Sequence, residues 1–122
     1  LMYDLTCLTQ ELHQRSFSIN IETSGAYPLS GELDWICFSP KKFKAPLPEI
    51  YDRAHELKII IYNKSDFRWA EQFAEKINPD CQLFLQPEWS VSEKVLPQII
   101  NYAKVNPRWR ISLQSHKFMQ IP

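Results

Sequence analysis

Residues 57–63, Leu-Lys-Ile-Ile-Ile-Tyr-Asn, form an almost unbroken apolar run rich in β-branched side chains and too short for an ordinary buried helix. Such a run reads as a strand covered on both faces, the kind found where crossover helices lie on either side of a parallel sheet. The flanking sequence fits that frame. Ser16–Gly25 (SFSINIETSG) alternates Phe17, Ile19 and Ile21 with Ser16, Ser18 and Asn20, a strand pattern closed by glycine. Asp34–Pro40 (DWICFSP), Cys81–Pro87 (CQLFLQP) and Arg108–His116 (RWRISLQSH) read as three further strands.

Helical periods separate them. Leu1, Leu5, Leu8 and Leu12 recur at spacings of four, three and four, one apolar stripe on a helix that opens at the first residue. Residue 1 is not Met, so an element preceding this helix is expected to be missing. One or two helical turns are expected over Pro48–Ala54, inside an otherwise proline-interrupted crossover. Ser65 or Asp66 caps a helix with Trp69, Ala70, Phe73, Ala74 and Ile77 on its apolar face, stopped by Asn78-Pro79. Ser90, three residues before Glu93, forms a capping-box pattern for a last helix. Pro97 should kink that helix or mark its true start. The order α-β-β-α-β-α-β predicts an α/β fold, a parallel sheet of about five strands with right-handed helical crossovers, in one domain over residues 1–122.

Composition excludes several functions. Fourteen basic residues balance fourteen acidic ones, which argues against a nucleic-acid surface or a polybasic membrane anchor. No apolar run reaches the ~18 residues of a membrane span, and no secretory leader is visible, so a cytoplasmic protein is expected. Cys7, Cys37 and Cys81 are too few and too scattered for a disulfide framework or a metal-binding Cys-x-x-Cys, and are expected to be reduced and structural. Two glycines leave no Gly-rich phosphate loop.

In parallel sheets, ligands bind outside the carboxyl ends of the strands. The five runs lead into Glu22-Thr23-Ser24, Ser39-Pro40-Lys41, Tyr62-Asn63-Lys64, Gln86-Pro87-Glu88-Trp89 and Gln114-Ser115-His116-Lys117. Any single strand enters water through polar residues. Five of five, using Gln, Glu, His and Lys rather than turn formers, favour a site. Glu22 suits a carboxylate anchor or general base, and Lys41 a cation for a carboxylated ligand. His116 suits a donor, acceptor or proton relay, and Trp89 a stacking face or a packing residue. Lys64 and Asp66 read as solvated or capping groups. His13 and His55 read as surface residues, and Trp35 and Trp109 as packing.

The segments IETSG (21–25), CFSPK (37–41), ELKIIIYN (56–63), LQPEW (85–89) and ISLQSHKFMQIP (111–122) together resemble the 7-carboxy-7-deazaguanine synthases, radical S-adenosylmethionine lyases of queuosine and deazapurine biosynthesis. The likeness covers the whole chain, and the terminal Ser-Leu-Gln-x-His-Lys…Ile-Pro is its most specific part. Ser24 departs from it, since the family more often has Asn there.

The resemblance implies the carboxyl-terminal part of a partial (β/α) radical SAM barrel. It implies conversion of 6-carboxy-5,6,7,8-tetrahydropterin to 7-carboxy-7-deazaguanine with loss of ammonia. The cofactors would be S-adenosylmethionine, a 4Fe-4S cluster and Mg2+. The cluster cysteines, metal residue and Gly-Gly-Glu-Pro turn are expected before Leu1, so these 122 residues alone should be inactive. By the same resemblance, Glu22, His116 and Pro122 would contact the pterin. Ser39, Pro40 and Lys41, with Gln86, Pro87, Glu88 and Trp89, would line the S-adenosylmethionine pocket. A homodimer and a flavodoxin-like electron donor are the implied partners. Two other readings remain: a non-catalytic nucleoside-binding α/β remnant, and a glycosidase-like barrel fragment using Glu22 and Glu88.

Overall fold

A computed structural model describes residues 4–113. The elements follow the order α1 (Thr6–Gln14), β1 (Asn20–Thr23), β2 (Trp35–Phe38), α2 (Glu49–Arg53), β3 (Glu56–Ile61), α3 (Ser65–Lys76), β4 (Gln82–Pro87), a 3-10 turn (Trp89–Val91), α4 (Ser92–Val105) and β5 (Trp109–Ile111). The five strands form one parallel sheet in sequential order, as the alternation of strand and helix patterns predicts. Two compact units divide the fold. One is built on β1, β2 and α2 with Ile77–Cys81, the other on α3, β4, α4 and β5, and the division falls inside β3 after Leu57.

In the first unit, Ile36, Phe38, Ile50 and Leu57 are at most 1% exposed. Phe38 meets Tyr51 edge-on, with ring centroids 5.8 Å apart. The leucine stripe does not set how α1 packs: Leu8 is exposed, and Thr9 is the buried residue of the helix. Hydrogen bonds decide the face. Leu5 N–H donates to Ser30 Oγ (2.9 Å), and Thr9 Oγ1 accepts from Glu32 N–H (2.8 Å). Gly31, at φ +83°, lies so close to Thr9 that a Cβ would stand 2.8 Å from its side chain. Position 1 lies outside the described residues.

The first strand is shorter than its alternation suggests, because Ser16 and Phe17 close α1. Ser16 takes φ +66°, its N–H donates to His13 O (3.0 Å), and Phe17 N–H donates to Leu12 O (3.0 Å). This is a Schellman closure with serine where glycine is usual, and it turns Phe17 out to solvent.

His13 clasps α1 to the segment before β2. Its Nδ1 lies 3.1 Å from Glu32 Oε2 and its Nε2 2.7 Å from Asp34 Oδ2, which also accepts Ile19 N–H at 2.5 Å. Asp34, then Glu32, raise the His13 pKa above its ordinary 6.5. The His13 contact, then the Ile19 amide, lower that of Asp34 below 3.8. The histidine's contribution to stability is therefore complete below pH 6.5 and lost as pH rises through its raised value. The aspartate's contribution is complete above pH 3.8 and lost as pH falls through its lowered value. Amide exchange of α1 is expected to be slowest between those limits and to quicken above neutrality, whereas His13→Gln should flatten the upper limb. An unchanged upper limb in that variant would exclude the clasp.

Along β3, Leu57, Ile59 and Ile61 show no exposure, while Lys58 and Ile60 are half-buried. The strand thus alternates rather than being covered equally on both faces, since its Lys58 face carries less cover among the described residues. The second core comprises Ile59, Ile61, Ala70, Leu83, Leu85, Val95, Ile99 and Trp109. Glu71 ties its layers together: Oε1 accepts from Tyr102 OH (2.5 Å) and Trp109 Nε1–H (2.7 Å). Burial, then the Glu71 carboxylate, push the Tyr102 hydroxyl up to about 12.

The expected capping box at Ser90 and Glu93 does not form. Helix α4 starts at Ser92 with Val91 in the capping position, because Glu88 takes the Ser90 amide instead. Pro97 does not start the helix either. Five residues of α4 precede it, and its missing N–H would have met the Glu93 carbonyl. Its exposed position leaves that carbonyl open to water.

Candidate functional site

In the first unit, β1 and β2 run parallel with Glu22 opposite Cys37. Alternation along β1 buries Thr23 and leaves Glu22 exposed. After Thr23 the chain turns sharply. Thr23 Oγ1 accepts from Gly25 N–H (3.1 Å), and Gly25 adopts φ +77°. A Cβ on Gly25 would meet Phe38 Cε1 at 3.0 Å and Pro46 Cβ at 3.1 Å, so the turn following Glu22 rests directly on the core. Ser24, the departure from the family pattern, accepts Ala26 N–H with its hydroxyl at 3.4 Å, a turn role that Asn also fills.

At the adjacent strand end, Ser39 N–H donates to Thr23 O (2.8 Å). Ser39 is 2% exposed, yet its Oγ has no hydrogen-bond partner among the described residues. A buried, unpaired hydroxyl costs about 1–3 kcal/mol, which a ligand hydrogen bond would offset. Pro40 is buried beside it, and Lys41 is exposed. Lys41 opens a tight turn closed by Lys44 N–H to Lys41 O (3.2 Å), with Phe43 wholly exposed at the tip. Thus Ser39 and Pro40 belong to the wall at the strand end, while Lys41 projects from it.

In the second unit, Gln86 is 3% exposed and its Oε1 accepts from Ser112 Oγ (3.1 Å), tying β4 to β5. Pro87 is buried. Glu88 donates its own N–H to Ile61 O (2.9 Å), and its Oε2 accepts from Ser90 N–H (2.9 Å) and the Ser90 hydroxyl. That engagement disfavours Glu88 as the free acid of a glycosidase pair. Trp89 is 40% exposed at the mouth of an open hollow of about 620 Å³, shared with Ser90, Val91, Ser92, Glu93 and Lys94.

At the end of β3, Asp66 is buried, and its Oδ2 accepts from Tyr62 N–H (2.7 Å) and Asn63 N–H (3.1 Å). It is neither solvated nor a cap for its own helix, because the carboxylate reaches back to the turn before it. Lys64 is exposed, as expected. His55 is also more than a surface residue: it stacks on Trp35 at 4.9 Å and its Nδ1 accepts from Ile36 N–H (2.9 Å). His116 and Pro122 lie outside the described residues, as do Gln114, Ser115 and Lys117.

The three cysteines are free, with Cys7 exposed and Cys37 and Cys81 buried. Among the described residues, no group of three His, Cys, Asp or Glu could hold a metal ion. These residues fit neither an iron-sulfur cluster nor a Mg2+ site. Sequence reasoning missed the unpartnered Ser39 hydroxyl and the Gln86–Ser112 pair, since both depend on which residues fold together rather than on local spacing.

No protein-family model matches the chain. The fold is an α/β parallel sheet that superposes on the crystal structure of QueE from Escherichia coli with a TM-score of 0.81 and 26% identity, over 92% of this chain and 51% of that one. A protein named 7-carboxy-7-deazaguanine synthase from Flavobacterium psychrophilum is 54% identical over 122 residues, all of this chain and 58% of that protein. One of the same name from Synechocystis is 46% identical over 121 residues, 99% of this chain and again 58% of the relative. The chain is thus similar in sequence to proteins named 7-carboxy-7-deazaguanine synthase and in fold to QueE. It spans a little over half the length of the curated relatives it matches.

Proposed function

We propose that this chain forms part of a 7-carboxy-7-deazaguanine synthase of the queuosine pathway, a radical S-adenosylmethionine lyase. Its reaction would convert 6-carboxy-5,6,7,8-tetrahydropterin to 7-carboxy-7-deazaguanine with loss of ammonia. The observation that carries this reading is 54% identity across all 122 residues to a protein of that name. On this reading, residues 1–122 are the carboxyl-terminal portion of a single catalytic domain.

Each residue then has a chemical task. Glu22, exposed on β1, accepts paired N–H groups from the guanidine-like edge of the pterin, a geometry that suits a carboxylate. The Ser39 hydroxyl finds in S-adenosylmethionine the partner it lacks within the fold, with Pro40 and Lys41 beside it. On the family resemblance alone, Pro87 and Trp89, held by the Gln86 and Glu88 hydrogen bonds within the second unit, would offer an apolar wall and a flat face to S-adenosylmethionine. When bound, that cofactor supplies the radical that removes hydrogen from the pterin. His116 and Pro122 complete the pterin contacts on the strength of the family resemblance alone.

On this reading the cluster and Mg2+ would be held by the part of the relatives that this chain does not span. A homodimer, a flavodoxin-like electron donor and a cytoplasmic location belong to the same proposal, with no direct contact to nucleic acid or membrane. Among the described residues, no helix is long and apolar enough to cross a bilayer.

Anaerobic reconstitution with iron, sulfide and reductant tests the division of labour. The full-length protein is expected to gain cluster absorbance and cleave S-adenosylmethionine, and the 122 residues alone to do neither. Cluster assembly on those residues would overturn the division. A reconstituted full-length protein that leaves the pterin untouched would overturn the function.

A further inference from the structure

We infer that the second unit binds a small oxyanion carrying its own hydroxyl, inorganic phosphate being the simplest case, in a cavity between the β3–α3 turn and the first turns of α4. The cavity measures about 290 Å³ and is lined by Tyr62, Asn63 and Lys64 from the turn and by Lys94, Val95 and Gln98 from the helix. That size lies at the lower end of small-ligand sites. None of the six residues belongs to the pterin or S-adenosylmethionine assignments, so the inference goes beyond them.

Two features define the ligand. Lys64 and Lys94 face one small space, and neither pairs with a carboxylate among the described residues. The nearest turn carboxylate, Asp66, is buried and bound to the Tyr62 and Asn63 amides, and Glu93 precedes Lys94 at an exposed position. Two ammonium groups sharing a cavity repel each other, and an anion between them removes that repulsion. The second feature is Gln98. Its Oε1 is one of two buried side-chain polar atoms that lack a hydrogen-bond partner among the described residues. An orphaned acceptor calls for a donor. Oε1 is itself closed off from the cavity that Gln98 lines, so a ligand that offers negative oxygens to the lysines and, on rotation of the Gln98 amide toward it, an O–H to Oε1 satisfies both requirements. Phosphate near neutral pH does so. Sulfate, of similar size and charge but without a proton, satisfies only the first.

Calorimetric titration of the full-length natural protein with phosphate, and separately with sulfate, tests the inference. Phosphate is expected to bind roughly tenfold more tightly, the ratio of one hydrogen bond. Lys64→Ala and Lys94→Ala should each weaken both anions, whereas Lys104→Ala, exposed further along α4, should change neither. Gln98→Leu should abolish the preference for phosphate while sulfate binding persists. Thermal melts of each variant separate lost binding from lost fold, and Lys94→Glu gives a second, charge-reversing variant at an exposed position. Equal affinities for the two anions, no binding of either, or affinities indifferent to Lys64 and Lys94 would each overturn the site.

Discussion

Phe38→Ala is expected to remove about 3–5 kcal/mol of folding stability, a large share of the ~5–15 kcal/mol that holds a domain of ordinary stability together. Phe38 has no exposed surface, meets Tyr51 edge-on and lies so close beneath the Gly25 turn that a Cβ added there would stand 3.0 Å from its ring, so truncation empties a well-filled space. The loss should appear as a lower urea midpoint with little change in slope. The same substitution loosens the support beneath Ser39, the next residue, and beneath the turn after Glu22. Cofactor affinity should therefore fall along with stability. A loss under 1 kcal/mol would mean that Phe38 is not the keystone of the first unit.

Glu22→Gln in the full-length protein is expected to weaken pterin binding by about 2–3 kcal/mol, the range for a lost charge-assisted hydrogen bond to a paired donor edge. Folding should be almost untouched, because Glu22 is exposed on β1 and the adjoining turn is held by Thr23 and Gly25. Equilibrium binding of the pterin to wild type and variant, alongside a melt of each, separates the two effects. Near-native affinity in the variant would remove Glu22 from the pterin site.

The fold was largely legible because its signals are local. The Leu57–Asn63 run and the alternation of strand and helix periods contain the five strands, their order and the short α2 helix. The errors fall where a competing local hydrogen bond won. Ser16 closes a helix in a conformation that serine seldom adopts, so the Phe17 alternation never becomes strand. Ser90 is claimed by Glu88, two residues earlier, rather than by the helix after it. The interior of the strand ends was hidden for a different reason. The unpartnered Ser39 hydroxyl and the double acceptor role of Glu71 exist only once residues distant in sequence are adjacent, and no spacing rule encodes that.

The Lys41–Lys44 turn, with Phe43 fully in solvent, has a practical consequence. Loop tips of this kind are where proteases first enter a folded chain and where inserted sequence is best tolerated. Limited digestion with trypsin or chymotrypsin should nick the backbone there before reaching the sheet. A short tag placed after Phe43 should report on the protein from outside without disturbing β2.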